Sequence, residues 1–518
     1  MEKTEKGVRK AGKRAALFGG LTVLFLLFWS TGAVAAGKDT FVYANGYDIR
    51  TLDPITTSDA PSWQVCRHIY QTLIELDDDF NVVPELAEKY EILSPTIYRF
   101  YLKKGVRFHN GEEVKADDVV FSLERAISPA GSAVRTYAGD IESVTAVDEY
   151  TVDVRLKQAS TPFIMNLTVP WAGILNRKAV EAAGEAYAQN PVGSGPFRFE
   201  SWRKGDRVVL ERFEDFAGPR PTYKTLIVRA IPEANIRAIE LESGAVDLIY
   251  LPSTSDLLRL EGDDRFVVHR DNRPAATNYL GFNTQKPALN DPKVRRALAY
   301  GVNVPGILQS VFRKIGALPA QSPLPPGVIY FDTENNKVQE YNPEKGKSLL
   351  AEAGSRLEKL LLVTNERSDR QAMATIVQAG FKELGIDVEI QVLEWAAFLD
   401  FLKEGKHDLC ILGNFAAIPD PHSILYSSFH SSVAGQTNYA MLKDPEVDEL
   451  LEKGIATPAG DERKELYFRL QRLLDEKEPW VSLVYLVGTQ LGSAKLEGVN
   501  SRANGGGIYD FRKISFRE

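Results

Sequence analysis

A chain of 518 residues is longer than one hydrophobic core normally serves, so two or three domains are expected. A composition that is 44% hydrophobic and 25% charged excludes disordered and collagen-like classes. The net charge of −8 becomes −12 without the basic leader described next, which argues against nucleic acid or an anionic membrane as partner.

Lys3, Lys6, Arg9, Lys10, Lys13 and Arg14 precede an apolar run from Ala15 to Trp29 and the small residues Gly32 to Ala36. That order makes residues 1–36 a secretory signal peptide, cut after Ala35 or Ala36. Its apolar run falls short of the roughly 20 residues that span a bilayer. No Cys stands at the cleavage region, so a lipid anchor is not indicated. Cys66 and Cys410 do not make a disulfide framework and read as two buried free thiols.

Thr40 to Ala44 reads as a first strand and Asn45 to Asp48 as a loop. Leu52-Asp53-Pro54 then leads to a helix carrying Val65, Ile69, Tyr70 and Leu73. Asp77, Asp79, Asn81 and Glu88 fall at calcium-loop spacing, but Val82 occupies the position that requires Gly, so a hairpin turn is expected. From Leu86 to Arg125 the chain reads LAEKYEILSPTIYRFYLKKGVRFHNGEEVKADDVVFSLER. Tyr98, Phe100 and Leu102 alternate as a strand, Lys104-Gly105 turns, Val106 and Phe108 resume the alternation, and Asn110-Gly111 turns again. From Asp117 the spacing of Val119, Val120, Leu123, Ala126 and Ile127 is that of one helix face, with Asp117 and Asp118 in the first turn.

This segment resembles the signature of the family 5 extracytoplasmic solute-binding proteins, the dipeptide, oligopeptide and nickel receptors of ABC importers. The resemblance continues through Leu52-Asp53-Pro54, through Pro191 to Phe197 (PVGSGPF) and through Leu241 to Asp247. The Gly193-Ser194-Gly195 loop lacks the third Gly of a dinucleotide fingerprint, the Lys of a phosphate loop and the spacing of a hydrolase elbow, so it reads as a structural crossing.

Thr277 to Asn283 is read as a strand crossing into a second lobe. Asp291-Pro292, Asn342-Pro343 and Asp444-Pro445 each predict a helix start, with Gly354 and Gly454 ending the latter two. Leu360 to Val363, a helix through Ile376, Val377, Phe381 and Leu384, and Val388 to Val392 form a β-α-β unit, hence a partly parallel sheet. Val481 to Leu486 carries the chain back. Two crossings, near 277 and 485, make a two-strand hinge.

The resemblance implies an α/β, two-lobed periplasmic binding protein fold (type II, cluster C), with mixed sheets and an extra α+β subdomain in the first lobe. Residues 37–70, 193–277 and 486–518 are expected to form the first-lobe core, 71–192 the extra subdomain and 278–485 the second lobe. It also implies a ligand held between lobes. Glu394-Trp395-Ala396-Ala397-Phe398-Leu399 matches a cleft motif whose Trp faces the ligand, and Gly413 opens the binding loop. Asn414 stands where the family usually has Trp, and Ala417 where an Asp usually grips a peptide ammonium. Asp420 is either a substitute for that Asp or the N-cap of the helix beginning at Pro421. Arg367 and Arg370 are candidates for holding a carboxylate. Asn45, Tyr47, Tyr137 and Phe415 complete the expected ligand set.

His68, His109, His269, His407, His422 and His430 form no zinc motif, and neither metal nor cofactor is expected. His422 and His430, eight apart, could assist a nickel chelate but read as ordinary polar histidines. The expectation is a monomeric, periplasmic, non-enzymatic receptor that captures a solute, with short peptides as the expected class, for the permease of an ABC transporter. Two alternatives stay open: a relative for an opine, sugar or nickel chelate, and a secreted hydrolase using cleft carboxylates.

Overall fold

The computed structural model describes residues 38–500 and 508–517, Asp79 and Asn272 excepted; the leader lies outside the described residues. The strand Thr40–Asn45 sits near the middle of a seven-stranded mixed sheet and runs parallel to both neighbours, Thr225–Ala230 and Leu248–Tyr250. Arg207–Arg212 and Phe197–Arg203 extend one side, Thr489–Ser493 and Phe266–Arg270 the other. Phe41, Tyr43, Leu226 and Phe511 fill one face. The helix after Asp53-Pro54 is Ala60–Ile69, capped by Asp59. It ends earlier than its apolar spacing suggests because Tyr70 turns extended, at φ −112° and ψ 150°, leaving Leu73 beyond it.

A four-stranded antiparallel sheet orders Ala87–Ser94, Ile97–Leu102, Thr151–Leu156 and Ile141–Asp148, with helix Ala116–Ile127 packed on it. Residues 97–102 alternate in burial as the sequence predicts. The second strand expected at Val106 and Phe108 reduces to an isolated bridge between Arg107 and Glu113. Turns at Gly105 (φ 77°) and Gly111 (φ 86°) stand too close together for a ladder to grow. The calcium-spaced segment is a hairpin, Ile74–Leu76 against Val82–Pro84.

The signature segment owes its residues to contacts rather than chemistry. Arg125 makes a bidentate pair with Asp53, at 3.0 and 2.6 Å, tying the helix to the Leu52-Asp53-Pro54 entry. His109 Nε2 donates to Gly195 O (3.0 Å) and Nδ1 accepts from Gly193 N–H (3.3 Å). A β-carbon at Gly193 would stand 2.0 Å from Ile69 O, so the loop needs Gly to press against that helix end.

Those contacts make the fold sensitive to acid. His68 uses both nitrogens in the same way, Nδ1 to Gln64 O (2.8 Å) and Nε2 to Phe511 N–H (3.1 Å). Protonation would turn each acceptor nitrogen toward another donor, and burial lowers both His68 and His109 to about 4. The unfolded chain takes up the proton first, near pH 6.5. Each histidine's contribution is therefore complete above pH 6.5 and is lost as pH falls from there to about 4, by roughly 3 kcal/mol at most. Imidazole resonances of both are expected to stay neutral to below pH 5, and His109→Gln to flatten the acid limb of urea midpoint against pH. Titration near pH 6.5 would contradict this.

The third sheet has six strands in the order Ala317–Pro319, Trp480–Leu486, Ala276–Phe282, Leu409–Phe415, Lys359–Asn365 and Asp387–Leu393. The last two are parallel and joined through helix Ser368–Glu383, the predicted β-α-β unit. Helices Pro292–Ala299, Pro343–Glu352 and Pro445–Ala456 start where predicted, with Asp291, Asn342 and Asp444 accepting first-turn N–H groups. Gly354 follows the second with φ 64°. Gly454 does not end the third, which runs on to Ala456. Its missing side chain admits Tyr467, whose ring would meet a β-carbon at 2.8 Å. Cys66 and Cys410 are free and buried.

Residues 271–275 link Phe266–Arg270 of the seven-stranded sheet to Ala276–Phe282 of the six-stranded one, and Val487-Gly488 returns. The links run side by side, Asp271 N–H donating to Gly488 O at 2.8 Å. Two adjacent, short connections between sheets have the form of a hinge.

Candidate functional site

At the hinge-facing end of the six-stranded sheet, strand Lys359–Asn365 gives way to helix Ser368–Glu383 over two residues. Arg367 is the N-cap residue and Arg370 lies in the first turn. Asp369 takes both its oxygens to Arg367, at 3.0 and 2.5 Å, which holds the Asp369 carboxyl below its usual range despite burial. Arg370 is 5% exposed and donates to Asn365 Oδ1 at 3.0 Å, while its Nε meets no partner. Burial, then the Arg367 charge, depress it to about 10. A guanidinium so placed, bonded to a neutral amide and beside a second cation, is only partly compensated by the Asp369 carboxylate that Arg367 already holds, and a bound anion would offset the rest of the cost.

Trp395 opens helix Trp395–Lys403, is 44% exposed, and lies 6.0 Å from the Arg370 guanidinium and 5.9 Å from the Phe398 ring. From strand Leu248–Tyr250 of the seven-stranded sheet comes Tyr250, and from the loop after strand Thr40–Asn45 comes Tyr47; both are within electrostatic reach of Arg367, and Tyr47 of Arg370 also. Asn45, 4% exposed, fixes that loop by accepting from Tyr47 N–H at 2.8 Å. Two arginines and three aromatics thus converge from two sheets joined by a hinge, an arrangement suited to enclosing an anionic, partly apolar guest.

Residues 81–436 match the model of the bacterial extracellular solute-binding proteins, family 5. The chain belongs to that family. It is 30% identical over 490 residues to the dipeptide-binding protein of Escherichia coli, covering 87% of this chain and 90% of that one. It is 28% identical over 504 residues to heme-binding protein A of Haemophilus influenzae, covering 90% and 91%. A periplasmic binding protein of an ABC transporter from Helicobacter pylori, solved with the peptide STSA, superposes with a TM-score of 0.84 at 28% identity, covering 93% and 99%. The fold is accordingly that of the two-lobed binding proteins. The chain is a transport receptor and not an enzyme, which removes the hydrolase alternative.

Not every expected ligand residue of the receptor joins this group. Asp420 is 1% exposed; it caps helix Pro421–Phe429 by accepting from His422 N–H at 2.9 Å and pairs with Arg463 at 2.6 and 2.9 Å. Both oxygens are committed, so Asp420 does not substitute for an ammonium-gripping Asp. Tyr137, partly buried, packs edge-on against Trp63, with ring centroids 5.5 Å apart, on the core of the smaller sheet, and burial raises it to about 12. Asn414 donates to Ser428 Oγ at 2.6 Å and accepts from Phe415 N–H, steadying the loop. Gly413 pairs in register with Asn278, and Phe415 with Ala276. Asn278 and Tyr250 were missed because each sits in a strand whose apolar neighbours mark it as core.

Trp395→Ala is expected to leave folding stability nearly unchanged, since an exposed ring contributes little burial, and to weaken ligand binding by about thirtyfold. Lost stability with unchanged affinity would place the ring in the core's service instead.

Proposed function

We propose that this receptor captures short peptides between its lobes and delivers them to the permease of an ABC importer, acting as a monomer in the periplasm once residues 1–36 have been cleaved. The lobes in this reading are 37–70, 193–277 and 486–518 with the subdomain 71–192, against 278–485. One observation carries it: Arg370, buried and bonded to a neutral partner at the end of its sheet from which the chain crosses, lies within electrostatic reach of Tyr47 in the loop that follows strand Thr40–Asn45 of the other sheet. A peptide's terminal carboxylate supplies the missing charge. Relatives named for dipeptide and di/tripeptide binding support the same class.

A thermal-shift panel of di- to pentapeptides, opines, oligosaccharides and nickel chelates tests it. A true ligand stabilises by about 2.7 kcal/mol at a hundredfold excess over Kd. Shifts with peptides are expected. A shift with another class and none with peptides would overturn the reading.

A further inference from the structure

Asn278 is wholly buried, and neither its Oδ1 nor its Nδ2 meets a partner. Buried carboxamides left so are rare, because each unpaired atom costs desolvation free energy with no return. Three features place this one in the site. It stands opposite Gly413 in the ladder with Leu409–Phe415. The ladder on its other side slips in register between Asn278 and Tyr279, an irregularity that re-aims a side chain. And a β-carbon at Gly413 would lie 2.4 Å from Asn278 Oδ1 and 3.0 Å from Arg370 Nη2, so the amide and the guanidinium converge over a glycine, where any side chain on that strand would collide with them. Arg370 Nε is likewise buried without a partner.

We infer that Asn278 and Arg370 together read one end of the ligand: a carboxylate together with the amide N–H on the same carbon, the terminus of an acylated α-amino acid. Arg370 Nε and Asn278 Nδ2 are donors that suit the two carboxylate oxygens; Asn278 Oδ1 is the acceptor that suits the N–H. Asp369 is committed to Arg367 and Asp420 to Arg463. The loop through Ala416, Ala417 and Ile418 is buried and apolar, Ile418 packing with the core of the smaller sheet. The receptor therefore requires a free carboxylate and tolerates a blocked amino end.

This inference rests on the peptide reading above, and the test separates the two. Calorimetric titration compares a tripeptide, its N-acetyl and C-amide forms, and a depsi-analogue in which an ester oxygen replaces the last N–H, on wild type and Asn278→Leu. In wild type, N-acetylation is expected to change Kd by less than about threefold, while amidation weakens binding about a hundredfold. The ester is expected to weaken wild-type binding about tenfold and to leave Asn278→Leu unaffected. Equal ester effects in both proteins, or strong binding of the C-amide, overturn the inference and leave the peptide reading intact. No binding by any of the four sinks both. Asn278→Leu is expected to fold at least as stably as wild type, and Asn278→Ser serves the same comparison if it does not.

Discussion

Asp420→Ala is expected to lower unfolding free energy by about 3–5 kcal/mol while leaving the affinity for ligand close to that of wild type. Arg463 is fully buried, and its guanidinium is satisfied by both Asp420 oxygens and by Gly454 O at 2.7 Å. The Tyr467 and Tyr330 rings lie 5.0 and 5.8 Å from it. Removing the carboxylate strands a charge where water does not reach, and removes a helix cap worth about another 1 kcal/mol. Replacing both members, Asp420→Leu with Arg463→Met, is expected to recover much of the loss, because two apolar side chains escape the desolvation penalty. Urea unfolding with a binding isotherm on each variant settles it. Loss of affinity at unchanged stability would return Asp420 to the ligand site.

Arg370→Met is expected to do the reverse. The native guanidinium lacks a carboxylate of its own, so an apolar chain of similar length leaves the unliganded receptor as stable as before or more so. Binding of a carboxylate ligand, however, loses a desolvated charge pair, about 2–5 kcal/mol or a Kd raised by about thirtyfold or more. A Kd within about threefold of wild type would remove Arg370 from the site. Paired with Asp420→Ala, this variant separates Arg463 from Arg370 by purpose: Arg463 is neutralised by the fold, Arg370 by its guest.

Local signals in the chain were legible because their causes are local. Asp291, Asn342 and Asp444 cap helices by accepting N–H groups two or three residues on, and residues 97–102 alternate because one face meets a core. What the sequence hid depends on residues far along the chain. Gly454 looks like a helix stop until Tyr467 is seen to occupy the space beside it. Asp420 looks available until Arg463, 43 positions later, is found on it. Asn278 lies among Tyr279, Leu280 and Phe282, and no single-sequence pattern separates a ligand-reading amide from a chance polar residue in a core strand. Arg367 and Arg370 were visible as candidates, but their division of labour was not. Arg367 takes both oxygens of Asp369, two residues away, and leaves Arg370 to feel that charge without a carboxylate hydrogen bond of its own.

Capture of this kind requires lobes that swing on the links at 271–275 and 487–488. Small-angle X-ray scattering of the mature receptor, alone and saturated with a tripeptide shown by calorimetry to bind, tests this directly. A smaller radius of gyration in the saturated sample, abolished in Arg370→Met at the same peptide concentration, is the expected result. An identical radius with the peptide demonstrably bound would contradict it.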